Sequence, residues 1–164
     1  MKKIWKFFRS IKYGIQNIIK WFPVIWQDRD WDHWFILKIF HFKLNEVEKF
    51  QRKYGNSVTH EKIADQIKIA ILLLDRLIKD EYLENVLKPH EKKWGDSEFI
   101  FTPIKGNKGY SSLDLKVEKA NTEEEKKQES KERSILYKHS DALKQQDLDM
   151  LFKHMRKYIE GWWD

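Results

Sequence analysis

The chain has 164 residues, 41% of them hydrophobic and 35% charged, which is typical of one folded helical domain and excludes a disordered chain. It contains no cysteine, which excludes disulfides and thiolate metal sites and fits a reducing compartment. The net charge of +6 is carried by residues 1–22, which hold six basic side chains and no acid, while the remaining bases and acids balance. This distribution excludes a general basic surface for nucleic acid, so nucleic acid is a less favoured partner than a small molecule or a protein.

The first predicted element is a basic amphipathic helix over residues 4–22. On a helix of 100° per residue its apolar side chains fall in one stripe about 120° wide, with the basic side chains outside it. Pro23 is expected to end the helix at Phe22. The stripe consists of Ile4, Phe7, Phe8, Ile11, Ile15, Ile18, Ile19 and Phe22.

Three partners fit this stripe. It can pack on the rest of its own domain, lie in a lipid surface, or fill a groove on another protein. We favour packing within the domain, because the following turn leads directly into a tryptophan-rich segment; membrane contact is possible but not favoured. Neither a signal-peptide pattern nor a run of about 18 apolar residues is present, so a transmembrane helix is not expected.

The second and third predicted helices follow in chain order. Asp30 is a suitable N-cap for a helix that runs to Tyr54, where Gly55 ends it. Ser57 or Thr59 is expected to cap the third helix, whose apolar face is the most regular in the chain, and Pro89 is expected to set its far limit.

Residues 95–118 predict a β-hairpin, because two runs of alternating apolar residues flank a turn that contains Gly106 and Gly109. An ordered loop without pairing is the alternative. Thr122 and Glu125 form a capping-box pattern that opens a polar helix, whose first three turns are expected to stand in solvent. Its apolar pattern restarts at Ile135 and Leu136, and a stripe then runs from Leu148 to Trp162. The expected fold is a single mainly α domain over residues 1–164, an irregular bundle of four to five helices with one inserted hairpin. Helices 1, 2, 3 and the last should form its core.

Sequence motifs for catalysis are lacking. Asp28, Asp30, Asp32 and His33 suggest a cation site, but an EF-hand loop beginning at Asp28 would need glycine at its sixth position and glutamate at its twelfth. These positions hold His33 and Ile39, so helix capping and ion pairs explain the acids better. We expect no catalytic residues, no metal and no cofactor, with a metal-dependent phosphodiesterase that uses these aspartates as an alternative.

Tryptophan is concentrated in residues 26–34 and in Trp162 and Trp163 near the end of the chain. Buried indoles need hydrogen-bond partners, so such clusters mark a core corner or a pocket wall. We expect Trp31 to join Trp162 and Trp163 in one contact cluster. The first segment is also the candidate pocket, in which Arg29 and Arg76 would contact phosphate, Trp31 and Trp34 would stack, and Asp32 would accept from a base or ribose. Internal ion pairs of the two arginines with Asp28, Asp30 or Asp75 are the favoured alternative.

Three segments resemble motifs of a family of small uncharacterised proteins encoded by tailed bacteriophages. They are residues 21–32 (WFPVIWQDRDWD), residues 74–82 (LDRLIKDEY) and residues 158–164 (YIEGWWD). The resemblance covers both ends of the chain and the third helix, and leaves residues 92–145 largely outside it. It implies a phage origin and the cytoplasm of the bacterial host, but it brings no activity and no catalytic residues.

Small phage proteins without catalytic motifs commonly act by binding. We therefore expect a non-enzymatic binding protein that sequesters a nucleotide-like anionic small molecule, such as a host immune signal, at the Arg29–Trp34 segment. A protein-interaction module, either an inhibitor of a host protein or a virion component, is the alternative. A homo-oligomer is also compatible with the sequence.

Overall fold

A computed structural model describes residues 2–26, 28–29, 31–32, 34–55, 57–106 and 109–163, with the backbone alone at residues 2, 3 and 163. Five α-helices and one antiparallel hairpin confirm the mainly α class with an inserted hairpin. The elements are α1 (Lys2–Ile25), α2 (Phe35–Tyr54), α3 (His60–Lys79), α4 (Tyr82–Trp94), β1 (Ser97–Pro103), β2 (Ser111–Val117), α5 (Glu123–Tyr158) and a 3-10 turn (Ile159–Trp163).

The chain forms two compact units. The first comprises residues 1–79 and 150–164, and the second comprises residues 80–149. The core of the first unit is the apolar face of α3 packed against α2, to which the end of α5 adds Leu151 and the 3-10 turn adds Trp162. Two polar contacts hold the C-terminal segment there: Gln51 Nε2 donates to the carbonyl of Trp162 at 2.8 Å, and His154 Nε2 lies 2.7 Å from the carbonyl of Gln66.

The expected end of α1 at Phe22 was wrong, because the helix continues through Pro23 to Ile25. A proline in the last turn removes one backbone donor, while the N–H of Trp26 still bonds to the carbonyl of Phe22 at 3.0 Å. Phe22 and Pro23 are exposed, so this part of the helix is open to water. Water can therefore bond to the backbone carbonyl four residues before Pro23, which has lost its N–H donor.

The start of α2 also differs from the prediction. The helix begins at Phe35, and Trp34 precedes it without a side-chain cap. Turn-like bonds come before it, from the N–H of Asp32 to the carbonyl of Arg29 and from the N–H of Phe35 to the carbonyl of Asp32. Asp30, the predicted N-cap, lies outside the described residues.

Helix α3 ends well before Pro89, which was the predicted limit. The chain breaks at Asp80, whose φ of 52° lies in the left-handed region that aspartate tolerates better than most residues. A separate helix, α4, then begins at Tyr82 and contains Pro89 on its exposed side. The sequence analysis had joined α3 and α4 into one element.

The second unit is built around the hairpin and the first part of α5. Phe99 pairs with Leu115 and Phe101 with Leu113, and of the two strands only Val117 is buried. Val117 packs with Trp94 and Ala120 at the base. The predicted capping box at the start of α5 is confirmed: the N–H of Glu125 donates to Thr122 Oγ1 at 3.2 Å, and the N–H of Thr122 donates to Glu125 Oε2 at 2.9 Å.

Candidate functional site

Four of the five residues of the predicted pocket lie in the segment between α1 and α2, and Arg76 lies on α3. Arg29 and Trp31 are exposed in that segment, Asp32 and Trp34 are half-buried, and Arg76 is exposed on α3. The described contacts lead elsewhere: Arg29 Nη1 donates to the carbonyl of Asp28 at 2.6 Å, and Asp32 lies 3.5 Å from the ammonium of Lys38. No described contact joins the five residues to one another around a common space.

The internal ion pairs expected for Arg29 and Arg76 stay a prediction. Asp75, one of the proposed partners, lies 2.8 Å from His41 Nε2. Asp30 and His33, which the cation alternative requires, lie outside the described residues. Within the described part of the chain, no group of three or more His, Asp or Glu side chains is placed to hold a metal ion.

The expected tryptophan cluster was wrong for Trp31. This side chain is 81% exposed, whereas Trp162 is 2% exposed in the core of the first unit. The Trp163 side chain lies outside what the structure describes. The C-terminal segment is therefore docked as expected, but the segment between α1 and α2 presents the Trp31 indole to solvent.

The feature that stands out is the apolar stripe of α1, which we expected to be buried and which is not. All eight members are between 42% and 69% exposed. Every residue from Ile4 to Lys20 is exposed. The helix has 24 residues, so the stripe runs along a length of about 36 Å. Monomeric proteins rarely leave a continuous apolar surface of more than a few hundred Å² in water.

The described contacts between α1 and α2 lie near the end of α1 and outside the stripe. Trp21 packs edge-on against Phe42 with ring centroids 4.7 Å apart, and Lys20 pairs with Glu46. At 100° per residue, Lys20 and Trp21 lie outside the stripe, which is centred on Ile4, Ile11 and Phe22. The contact that fixes the end of α1 to its unit therefore leaves the apolar stripe without a described partner.

Charge reinforces this asymmetry. Lys12 lies at one border of the stripe, Lys6 and Arg9 lie on the opposite side of the helix, and no acidic residue occurs in it. Among the described basic side chains of α1, Lys20 is the one with an ion pair in the described contacts. No helix in the described residues has the length and hydropathy that a membrane span requires.

The second unit contains a compact polar network between α4 and α5. Glu132 accepts from Lys93 Nζ at 2.6 and 2.8 Å, from the indole N–H of Trp94 at 2.8 Å and from Gln128 at 2.9 Å. These donors, the Lys93 ammonium first among them, lower the pKa of Glu132 to about 2. Each donor stabilises the charged carboxylate, so the network is a structural clamp between two helices.

A second pair of acid and base is buried in the same unit. His90 and Glu129 are 5% and 4% exposed, with Nε2 of the histidine 3.6 Å from a carboxylate oxygen. Glu129 also accepts from Arg133 Nε at 2.6 Å. The sequence analysis treated this part of α5 as solvated. The i to i+4 spacing of Glu129 and Arg133 was the local signal that Glu129 has a basic partner.

Comparisons with known proteins do not place this chain in a family. No protein-family model matches it, and neither a curated protein nor a solved structure does so. The function must therefore be argued from the surface of α1 and from the chemistry of the described side chains.

The sequence analysis identified the stripe but assigned it to the core. The signal for the other reading was the absence of acids in residues 1–22, because a helix that packs in its own domain usually carries both signs of charge on its outer face. Nothing in the linear pattern shows that Trp21, which lies outside the stripe, makes the contact with α2.

Proposed function

We propose that the protein is a non-enzymatic binding module that attaches to an anionic membrane surface through α1. The observation that carries this proposal is the exposure of all eight stripe residues, with α1 held to α2 through Lys20 and Trp21 outside the stripe. Helices with a wide apolar face and a basic polar face lie in the plane of the interface, with the apolar face at the acyl boundary. The resemblance to phage proteins would place such a surface in the host cell.

Two free-energy terms act in the same direction. Burying a large apolar side chain contributes about 1.5–3 kcal/mol, and eight such side chains are available on the stripe. Each basic side chain near an anionic surface adds about 1 kcal/mol, and this term weakens as salt screens it. Attachment should therefore weaken at high salt without disappearing.

An anionic lipid surface fits this helix better than a groove on a protein does. The described basic side chains of α1 other than Lys20 have no ion pair among the described contacts and lie outside the stripe; they are Lys6, Arg9 and Lys12. A flat anionic surface can meet all of them together, whereas a groove would cover mainly the stripe. Sequestration of a nucleotide-like molecule by Arg29, Trp31, Asp32, Trp34 and Arg76 stays a prediction, because the described contacts do not bring these residues together.

The test is vesicle flotation with the full chain at low salt. Vesicles of phosphatidylcholine with a quarter of phosphatidylglycerol should carry the protein upward, and pure phosphatidylcholine should carry less. The decisive variant exchanges neighbours, as Ile15→Gln with Gln16→Ile and Asn17→Ile with Ile18→Asn. It keeps composition and charge but moves two isoleucines out of the stripe, so binding should weaken by about 100-fold.

A charge variant separates the electrostatic term. Lys6→Gln with Lys12→Gln leaves the stripe intact and should weaken binding to the anionic vesicles by about 30-fold at low salt, with a much smaller effect at 0.5 M salt. Undiminished flotation of the exchanged variant would overturn the proposal. So would a dimer of the wild-type chain that the exchanged variant dissociates, with no flotation of either, because the stripe would then bind a second copy.

A further inference from the structure

A pocket of about 270 Å³ lies between β2 and α5 in the second unit. One wall is apolar and consists of Leu115, Val117 and Ala120, of which the last two are buried. The other wall is the side of α5 that carries Glu129 and Arg133. Sites for small molecules usually combine an apolar lining with a few polar groups, and this volume is near their lower limit of about 300 Å³. The pocket therefore suits a small ligand with an apolar part.

The ion pair in this wall uses one oxygen of Glu129 and one nitrogen of Arg133. Arg133 Nε donates to Glu129 Oε1 at 2.6 Å, and His90 Nε2 lies 3.6 Å from the same oxygen. The described contacts include no hydrogen bond to Glu129 Oε2 or from the two Nη groups of Arg133. In the described part of the chain, the polar side-chain atoms that are both enclosed and unpaired belong to His90 and Trp162. Glu129 Oε2 and the Nη groups therefore keep some accessible surface.

These groups place an acceptor with negative charge beside donors with positive charge. A carboxylate oxygen attracts a ligand cation, and a guanidinium edge binds a ligand carboxylate through parallel hydrogen bonds. Lys116 is exposed on the β2 side of the pocket, has no ion pair among the described contacts and adds a second cation. Lys126 also lines the pocket, but its charge is matched by Glu123 at 2.7 Å. The lining thus fits a ligand that has adjacent positive and negative charges and an apolar group.

We propose that this pocket binds an α-amino acid with a branched aliphatic side chain, such as leucine. The ammonium group of the ligand contacts Glu129 Oε2, and its carboxylate lies between the Nη groups of Arg133 and the Lys116 ammonium. Its side chain packs on Leu115 and Val117. A ligand with the carboxylate alone would bring a second negative charge to the buried Glu129 without compensating it. The pocket lies within the second unit, so the proposal does not depend on attachment of α1 to a membrane.

The test uses the full chain at neutral pH and ligands that differ by one group. Leucine should bind saturably in isothermal titration calorimetry, with one molecule per chain. The analogue 4-methylpentanoate lacks the ammonium group, and 3-methylbutylamine lacks the carboxylate. Each should bind at least tenfold more weakly, because each leaves a charge-assisted hydrogen bond unmade. Glycine has both charges but no side chain, so it should also bind more weakly than leucine.

Two serine variants locate the binding. Ser130→Phe fills the pocket from an exposed position of α5 and should abolish leucine binding. Ser111→Phe makes the same exchange at an exposed position of β2 that does not line the pocket, and it should leave binding unchanged. Thermal melts followed by circular dichroism show whether both variants are folded.

Glu129→Gln tests the contact with the ammonium group. This variant keeps the length of the side chain and an acceptor for Arg133 Nε, but it removes the negative charge. It should therefore erase the difference in affinity between leucine and 4-methylpentanoate. If Glu129→Gln does not fold, the ligand series in the wild type and the Ser130→Phe variant decide the proposal.

Three results would overturn the proposal: no saturable binding of leucine, equal affinities of the wild type for leucine and 4-methylpentanoate, or leucine binding that survives Ser130→Phe. Adsorption on the stripe of α1 is the competing explanation. Leucine binding that is lost in the exchanged variant of α1 would assign the ligand to the stripe and reject the pocket. Vesicle flotation does not use this pocket, so the membrane proposal stands or fails separately.

Discussion

Trp162 and Trp31 lie in opposite environments: Trp162 is 2% exposed, and Trp31 is 81% exposed. Truncating the buried one removes its contacts and leaves a cavity in the first unit, so Trp162→Ala should lower the free energy of unfolding by about 3–5 kcal/mol. Trp31→Ala should change it by less than about 0.5 kcal/mol. Urea denaturation of both variants, followed by far-ultraviolet circular dichroism, measures the difference. Equal losses would show that Trp31 is a core residue after all.

Glu132 is one residue through which the free energy of unfolding should depend on pH in acid. Its pKa is lowered from 4.5 to about 2, chiefly by the Lys93 ammonium, so the unfolded chain binds more protons there than the folded chain. The stabilisation is fully present above pH 4.5 and is lost as the pH falls to about 2. Glu132→Gln should therefore flatten the stability profile in that window, modestly because Glu132 is partly exposed.

The control for Glu132 is an exposed glutamate on the same helix. Glu124→Gln has no described contact to break and should leave the profile as in the wild type. Thermal melts of the three proteins at half-unit steps between pH 2 and pH 5 give the comparison. A wild-type profile in Glu132→Gln would mean that the Lys93 contact does not hold in solution.

Burial of individual side chains was the part least accessible from the sequence. The residue type does not distinguish the exposed Trp31 from the buried Trp162. Burial of Trp162 depends on the docking of the C-terminal turn against Gln51, which lies 111 positions before Trp162. His90 and Glu129 lie in segments that read as solvated, and they become buried because α4 and α5 meet. Such long-range contacts leave no local period to detect.

At the scale of elements, the start of α5 gives a testable capping prediction. Thr122→Ala removes the acceptor for the N–H of Glu125 and should cost about 0.5–2 kcal/mol of stability. Thr122→Ser keeps the hydroxyl and should recover most of that loss. Chemical denaturation of the two variants side by side provides the measurement, and an equal loss in both would exclude the hydroxyl as the cause.

Elements with local signals were predicted well, and breaks without such signals were not. The hairpin and the capping box rest on patterns a few residues long, and both were confirmed. The helix ends predicted at Pro23 and Pro89 were wrong, because both prolines lie on exposed helix surfaces where the lost hydrogen bond is tolerated. The actual break at Asp80 depends on one left-handed residue that has no distinctive sequence neighbours.

At the scale of the whole molecule, the sequence predicted a basic arm on a neutral body, but the expected packing of its apolar stripe within the domain was wrong. A stripe about 120° wide has the same period whether or not a protein core covers it. The structure shows an exposed stripe, with Trp21 and Lys20 holding α1 to α2 from outside it. The neutral body then has little electrostatic attraction to an anionic surface of its own.

Deleting residues 2–19 tests this division of roles in one protein. Every described residue from Ile4 to Lys20 is exposed, and the deletion keeps both Lys20 and Trp21 in contact with α2. Little buried area is lost, so the melting temperature should stay within about 2 °C of the wild type, which corresponds to less than about 1 kcal/mol for a chain of this length. Flotation with anionic vesicles should fall to background, because seven of the eight stripe residues and five of the six basic residues are gone. A fall of 10 °C would instead show that the stripe packs on its own unit, and the membrane proposal would then lose its principal support.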